Sequence, residues 1–180
     1  MDWSDIKYFT REEFRPEGHD GDFDMGIGFI LKLDNFRSQI DSPMVVHKNG
    51  GFAVSGHSEN SLHYLGLAAD LHIRERGSDR PRDVLEQALL AYKWSFLSIG
   101  IYPFWNRPGL HLDDRAAIGL PKKVWFQDRA GKYRYYPYED FHRCVRDLIV
   151  YRERMEKAPE GGTAMTQKRS PKCESPLAPL

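Results

Sequence analysis

The sequence predicts one domain of mixed helices and strands. Three observations carry that expectation. A chain of 180 residues is long enough for one hydrophobic core and short for two. Segments with helical apolar spacing alternate along it with short β-rich runs. From Ala158 onward Pro, Gly, Ser and Lys dominate, which predicts a domain over residues 1–157 and a disordered tail over 158–180.

Bulk composition narrows the partners. Lys and Arg balance Asp and Glu to a formal net charge of zero, which argues against a nucleic-acid partner selected by overall charge. No window approaches the length of a transmembrane helix, so no membrane insertion is expected. The start, Met1-Asp2-Trp3-Ser4-Asp5-Ile6, has neither a basic segment nor an apolar run. The expectation is therefore synthesis in the cytoplasm without a signal peptide. Cys144 and Cys173 are the two cysteines, and nothing about them demands an oxidising compartment. The sequence sets no oligomeric state.

In chain order, Tyr8 to Phe14 reads as a helical turn. Thr10 is its N-cap, Glu13 completes a capping box, and Phe9 and Phe14 form a staple. Residues 16–24 are a loop. A helix over about 28–39 places Phe29, Ile30, Leu33, Phe36 and Ile40 on one apolar stripe, and Pro43 stops it. Residues 44–47 and 52–56 are β-rich runs separated by Gly50-Gly51. Residues 68–73 predict a strand whose alternation sends Asp70 and His72 to one face.

The longest helix is expected over about 81–97, opened by Asp79 or Pro81, with Val84, Leu85, Ala88, Leu89, Tyr92 and Phe96 as core stripe. Residues 99–103 form a strand and turn. Residues 110–113 form the next strand, with His111 and Asp113 on one face and Leu110 and Leu112 on the other. A late hairpin spans 124–136 around the turn at Arg129 to Lys132, and a last helix covers about 138–157.

The chemistry is concentrated in two pieces. Residues 61–70 hold a histidine and an aspartate, His63 and Asp70, among small and apolar residues. Residues 109–113 hold His111 between Leu110 and Leu112, with Asp113 two places on. Two imidazoles and a carboxylate are a common protein ligand set for catalytic zinc, whose remaining position stays open for water. Gly66 supplies a point of easy turning between loop histidine and strand aspartate, and Ala68 and Ala69 leave room for close packing. On spacing alone, a surface or packed histidine is the commoner reading.

The residues of the first piece resemble a family. Ser61-x-His63-x-x-Gly66-x-Ala68-x-Asp70 closely resembles the SxHxxGxAxD motif of the zinc-dependent D-Ala-D-Ala carboxypeptidases and peptidoglycan endopeptidases, peptidase family M15. These share the hedgehog/DD-peptidase fold. Gly100 to Pro103 with Leu110 to Asp113 is similar to that family's segment around its last histidine, in the subgroup found in phages and bacterial cell-wall proteins. Tyr8 to Phe14 is similar to the subgroup's start, and Val54-Ser55-Gly56 falls where relatives carry SGYR. The likeness runs from about residue 8 to 115.

The resemblance implies an α+β fold, a small antiparallel sheet flanked by helices with a metal on one face. It implies Zn2+ held by His63, Asp70 and His111, and a peptidoglycan stem peptide as substrate, cut at a bond involving a D-amino acid. Action on the cell wall after release, or as part of a phage particle, fits the absent signal peptide.

Two departures qualify the implied catalysis. Ser55-Gly56-His57-Ser58 lacks the arginine of SGYR, and Pro108 occupies the place of an acid three residues before His111. Asp113 is the first candidate general base, with a role in orienting an imidazole as the alternative. His57 is the second candidate catalytic residue. His72 reads as a neighbour of the metal site or as strand surface. Arg107 and Arg115 are candidates to replace the missing arginine. The aromatic groups Tyr102, Phe104, Trp105 and Tyr133, Tyr135, Tyr136, Tyr138 read as substrate walls or as packing. A catalytically degenerate zinc-containing module, binding cell wall or serving as a phage part, is the alternative to an enzyme.

Overall fold

The computed structural model describes residues 2–157; the expected tail over 158–180 lies outside the described residues. The fold is α+β. Three α-helices, α1 (Ile27–Ile40), α2 (Val84–Trp94) and α3 (Phe141–Lys157), accompany six strands. The strands are β1 (Met44–Val46), β2 (Ala68–Ile73), β3 (Ser98–Tyr102), β4 (Gly109–Asp113), β5 (Lys123–Gln127) and β6 (Tyr133–Pro137). They form one open sheet in the order β1-β2-β4-β3-β5-β6.

The sheet is mostly antiparallel, with one exception to the expected pattern. β3 and β5 run parallel, because β4 turns straight back from β3 and occupies one flank, and the chain then passes through a 3₁₀ turn, Arg115–Ile118, to reach the other. β6 closes back on β5 as the expected hairpin.

Strand alternation separates two faces of different chemistry. Ala69, Leu71, Ile73, Ile99, Ile101, Leu110, Leu112, Val124 and Phe126 are buried in the core. There they meet Phe29, Ile30, Leu33 and Phe36 of α1 and Phe141, Cys144 and Leu148 of α3. The other face carries Asp70, His72, His111 and Asp113.

Two expected elements are corrected. Residues 52–56 form bends rather than a strand, since their backbone bonds go to scattered partners: Phe52 N–H to Phe14 O, Ala53 N–H to His63 O. Helix α2 begins at Val84, capped by Asp83, whose carboxylate accepts from Leu85 N–H at 2.8 Å. It stops before Phe96, which adopts φ +57° and is exposed. Leu89 is also exposed, and the buried stripe is Val84, Gln87, Ala88 and Ala91. Gln87 earns its place through the backbone. It accepts from Ile73 N–H and donates to the carbonyls of Arg82 and Pro108, tying the end of β2 to the approach to β4.

The first turn is as expected. The Glu13 carboxylate accepts from Thr10 N–H at 2.7 Å, and Phe9 packs on Phe14.

Candidate metal centre

His63, Asp70 and His111 come from three elements. Asp70 and His111 are direct cross-strand partners in the β2–β4 ladder, which sets their side chains side by side. His63 reaches them from a 3₁₀ turn, Leu62–Leu65, capped by Ser61. Gly66 ends that turn at φ +65°, and a Cβ there would lie 2.3 Å from Asp24 O. Both the left-handed backbone and the close approach require glycine.

The three residues offer one ligand atom each, all within 4.8 Å of one another. His63 Nε2 lies 3.3 Å from His111 Nδ1 and 3.6 Å from Asp70 Oδ1. His111 Nδ1 lies 2.8 Å from Asp70 Oδ1. Tetrahedral bonds of about 2.0–2.1 Å put neighbouring ligand atoms about 3.3 Å apart, so the observed edges bracket the separation a zinc-sized ion needs. The outer nitrogens are already engaged. His63 Nδ1–H donates to Gly51 O at 2.7 Å, leaving Nε2 as the lone pair facing inward. His111 Nε2–H donates to Asp113 Oδ2 at 3.2 Å. Imidazoles anchored through their second nitrogen to a carbonyl or carboxylate are the usual support of a metal site. The donor set fits a divalent metal ion.

Electrostatics favour a cation at this point. Burial opposes the charge on Asp70, but hydrogen bonds from His111 and His63 hold its carboxyl well below the usual carboxylate range. Burial likewise opposes the charge on His111, yet its bonds to Asp113 and Asp70 raise it to about 9.

Asp113 is buried, and both its oxygens are occupied. Oδ1 accepts from Arg115 N–H and Nε–H, while Oδ2 accepts from Arg115 Nη2–H at 2.6 Å and from His111. Burial is again the opposing influence, and Arg115 and His111 keep its carboxyl far below the ordinary value. This arrangement orients His111. His57 stacks on His63 with ring centroids 4.3 Å apart, in a loop clasped by Tyr64, whose hydroxyl accepts from His57 N–H and donates to His57 O. Burial and the neighbouring His63 push His57 below the ordinary histidine value.

The structure therefore gathers every candidate metal and catalytic residue around one point. The remaining candidates divide. Arg115 joins the site through Asp113, while Arg107 lines a neighbouring cavity. Tyr102 stacks on Trp105 at 4.0 Å, whereas Phe104 is exposed. Tyr136 donates to Asp147 and Tyr138 packs on Tyr92, so both serve packing.

Sequence reasoning missed three participants. Gly51 contributes its carbonyl, which no side-chain pattern announces. Trp125 lies over Gly100, where a Cβ would meet the indole at 2.6 Å, and its ring packs on His111 with centroids 5.4 Å apart. His47 pairs with His72, Nε2 to Nδ1 at 2.9 Å. Its one available signal was its place just beyond a short strand.

Comparison of the chain with family models, curated proteins and solved structures returned no match.

Proposed function

We propose that this protein is a zinc-dependent metallopeptidase of the hedgehog/DD-peptidase type, acting on peptidoglycan stem peptides at a bond involving a D-amino acid. The observation that carries the reading is the triad. His63 Nε2, Asp70 Oδ1 and His111 Nδ1 converge at tetrahedral separations, with both outer nitrogens anchored. The resemblance of residues 61–70 to the SxHxxGxAxD motif supports zinc as the ion and a cell-wall peptide as the substrate.

In this reading His63, Asp70 and His111 hold Zn2+. Bound zinc supplies Lewis acidity toward a carbonyl and lowers the pKa of water near neutrality. Asp113, clamped by Arg115, holds the His111 ring with its Nδ1 turned inward. Because both Asp113 oxygens are spoken for, the geometry favours His57 as the group that takes the proton. His57 is half-buried, stacks on a ligand, and burial followed by the neighbouring His63 lowers its pKa from the ordinary histidine value, which favours the proton-accepting form. The tight Asp113–Arg115 pair also supports the second reading, a zinc-containing module without turnover.

Muropeptide release from purified peptidoglycan decides between them. The enzyme reading expects release by the wild type, loss in Asp70→Asn, and a fall on the order of a hundredfold in His57→Ala with zinc content unchanged. Zinc binding with no release by the wild type would establish the second reading.

A further inference from the structure

One row of paired residues crosses the sheet from the triad to the β6 edge. Asp70 pairs with His111, His111 with Gly100, Gly100 with Trp125 and Trp125 with Tyr135, each in register on neighbouring strands. Partners across a ladder carry their side chains to one face, so the row belongs to the face of the metal ligands. Gly100 leaves a gap in it. The backbone there does not call for glycine, since φ is not positive, and glycine weakens a strand interior. The gap serves space: a Cβ would stand 2.6 Å from Cε2 and Cζ2 of Trp125.

The indole that fills this gap is only 4% exposed, yet it lies on the face opposite the core, into which its neighbours Val124 and Phe126 point. It packs on the His111 ring, the two planes inclined at 52°. Its Nε1–H donates to Tyr102 Oη at 3.3 Å. The Arg115 guanidinium lies 5.1 Å from its centroid, within cation–π range. Arg115 in turn grips Asp113 through Nε–H and Nη2–H, and Asp113 accepts from His111 Nε2–H. The contacts close a circuit that runs Trp125, His111, Asp113, Arg115 and back to Trp125. Hydrogen bonds at its two nitrogens hold an imidazole along the line joining them, but they hold its tilt about that line only weakly. The indole supplies the missing wall, and the same ring backs the guanidinium that clamps Asp113.

We propose that Trp125 is a positioning residue of the candidate metal centre, seated over Gly100 so that it sets the tilt of the His111 ring and keeps Arg115 on Asp113. This rests on the metal-centre part of the functional reading and not on peptide hydrolysis. The tilt matters because Nδ1 of His111 is the ligand atom, and its lone pair turns with the ring.

The test compares the wild type with Trp125→Leu and Trp125→Phe, using Zn2+ and Co2+ as probes. Trp125→Leu should lower zinc affinity about 10–100-fold, measured by competition with a chelator. It should also change the visible absorption of bound Co2+, a signature of ligand geometry that a loss of stability alone does not move. Trp125→Phe keeps an aromatic ring against His111 and should recover most of both. In the wild type, the indole N–H signal of Trp125 in two-dimensional NMR should shift in step with zinc occupancy, a measurement that stands even if Trp125→Leu fails to fold. Unchanged affinity and cobalt spectrum in Trp125→Leu, no recovery in Trp125→Phe, or an indole signal indifferent to zinc would overturn the positioning role and leave the metal centre standing. A wild-type chain that binds neither ion would overturn the metal centre and this role with it.

Discussion

Two histidine pairs lie on the same sheet face, on either side of Asp70, and they have opposite electrostatics. His63 and His111 approach to 3.3 Å with the Asp70 carboxylate beside them and Asp113 behind. His47 and His72 approach to 2.9 Å with Arg107 nearby and no carboxylate in their cavity. The consequences diverge. His111 is raised to about 9. His72 is lowered to about 4, by burial first and then by the charges of His47 and Arg107. Close imidazoles alone therefore do not make a cation site. The carboxylate, and acceptors on the outer nitrogens, separate a group that could hold a metal ion from a packed pair; His72 Nε2 is buried with no partner among the described residues.

The largest expected effect breaks the comparison at Asp70. Zinc at about a hundred times its dissociation constant stabilises a folded protein by about 2.7 kcal/mol, visible as a rise in thermal midpoint. Asp70→Asn should abolish that rise, and His47→Ala should leave it intact. Equal loss in both variants would erase the distinction between the pairs.

Asp113→Asn probes the support rather than the ligands. It keeps the volume but weakens the hold on His111 Nε2–H, and zinc affinity should fall about 10–100-fold, measured by competition with a chelator. An unchanged affinity would mean that His111 is oriented by its backbone and by Trp125 alone.

A third prediction concerns acid. The folded-state value of His72 lies below the ordinary 6.5, so protonation favours the unfolded chain. Its contribution to stability is present above about pH 6.5 and is lost as pH falls toward 4. In metal-free protein, His72→Asn should flatten the decline in urea-unfolding stability across that window. An equally steep decline would place the acid sensitivity elsewhere.

The smallest effect is expected at Cys144. Its thiol is buried, and burial followed by the charge of Asp147 pushes it up to about 12. At pH 8 it should resist iodoacetamide in the folded protein and react after denaturation, read by peptide mass mapping. Rapid native labelling would show that α3 opens readily.

Much of this was legible beforehand, for identifiable reasons. Alternation in residues 68–73 and 110–113 sorted core from site correctly, because a strand that buries one face leaves no freedom to its period. The positions of His63, Asp70 and His111 followed from their spacing and resemblance. What escaped depends on pairing between distant segments. The bond of His63 to Gly51 O, the meeting of His47 with His72 across β1 and β2, and the buried Gln87 holding Ile73 all require the register. Leu89 was misassigned because the face that α2 buries carries Val84, Gln87, Ala88 and Ala91 instead, and Phe96 because the helix ends before it, at Trp94.

The most direct measurement is native mass spectrometry of protein purified without added metal, then titrated with zinc, wild type beside His63→Ala. The account predicts one zinc ion per wild-type chain and none retained by the variant. A wild-type chain that binds no zinc, or a variant that keeps it, would contradict the metal centre on which the functional reading stands.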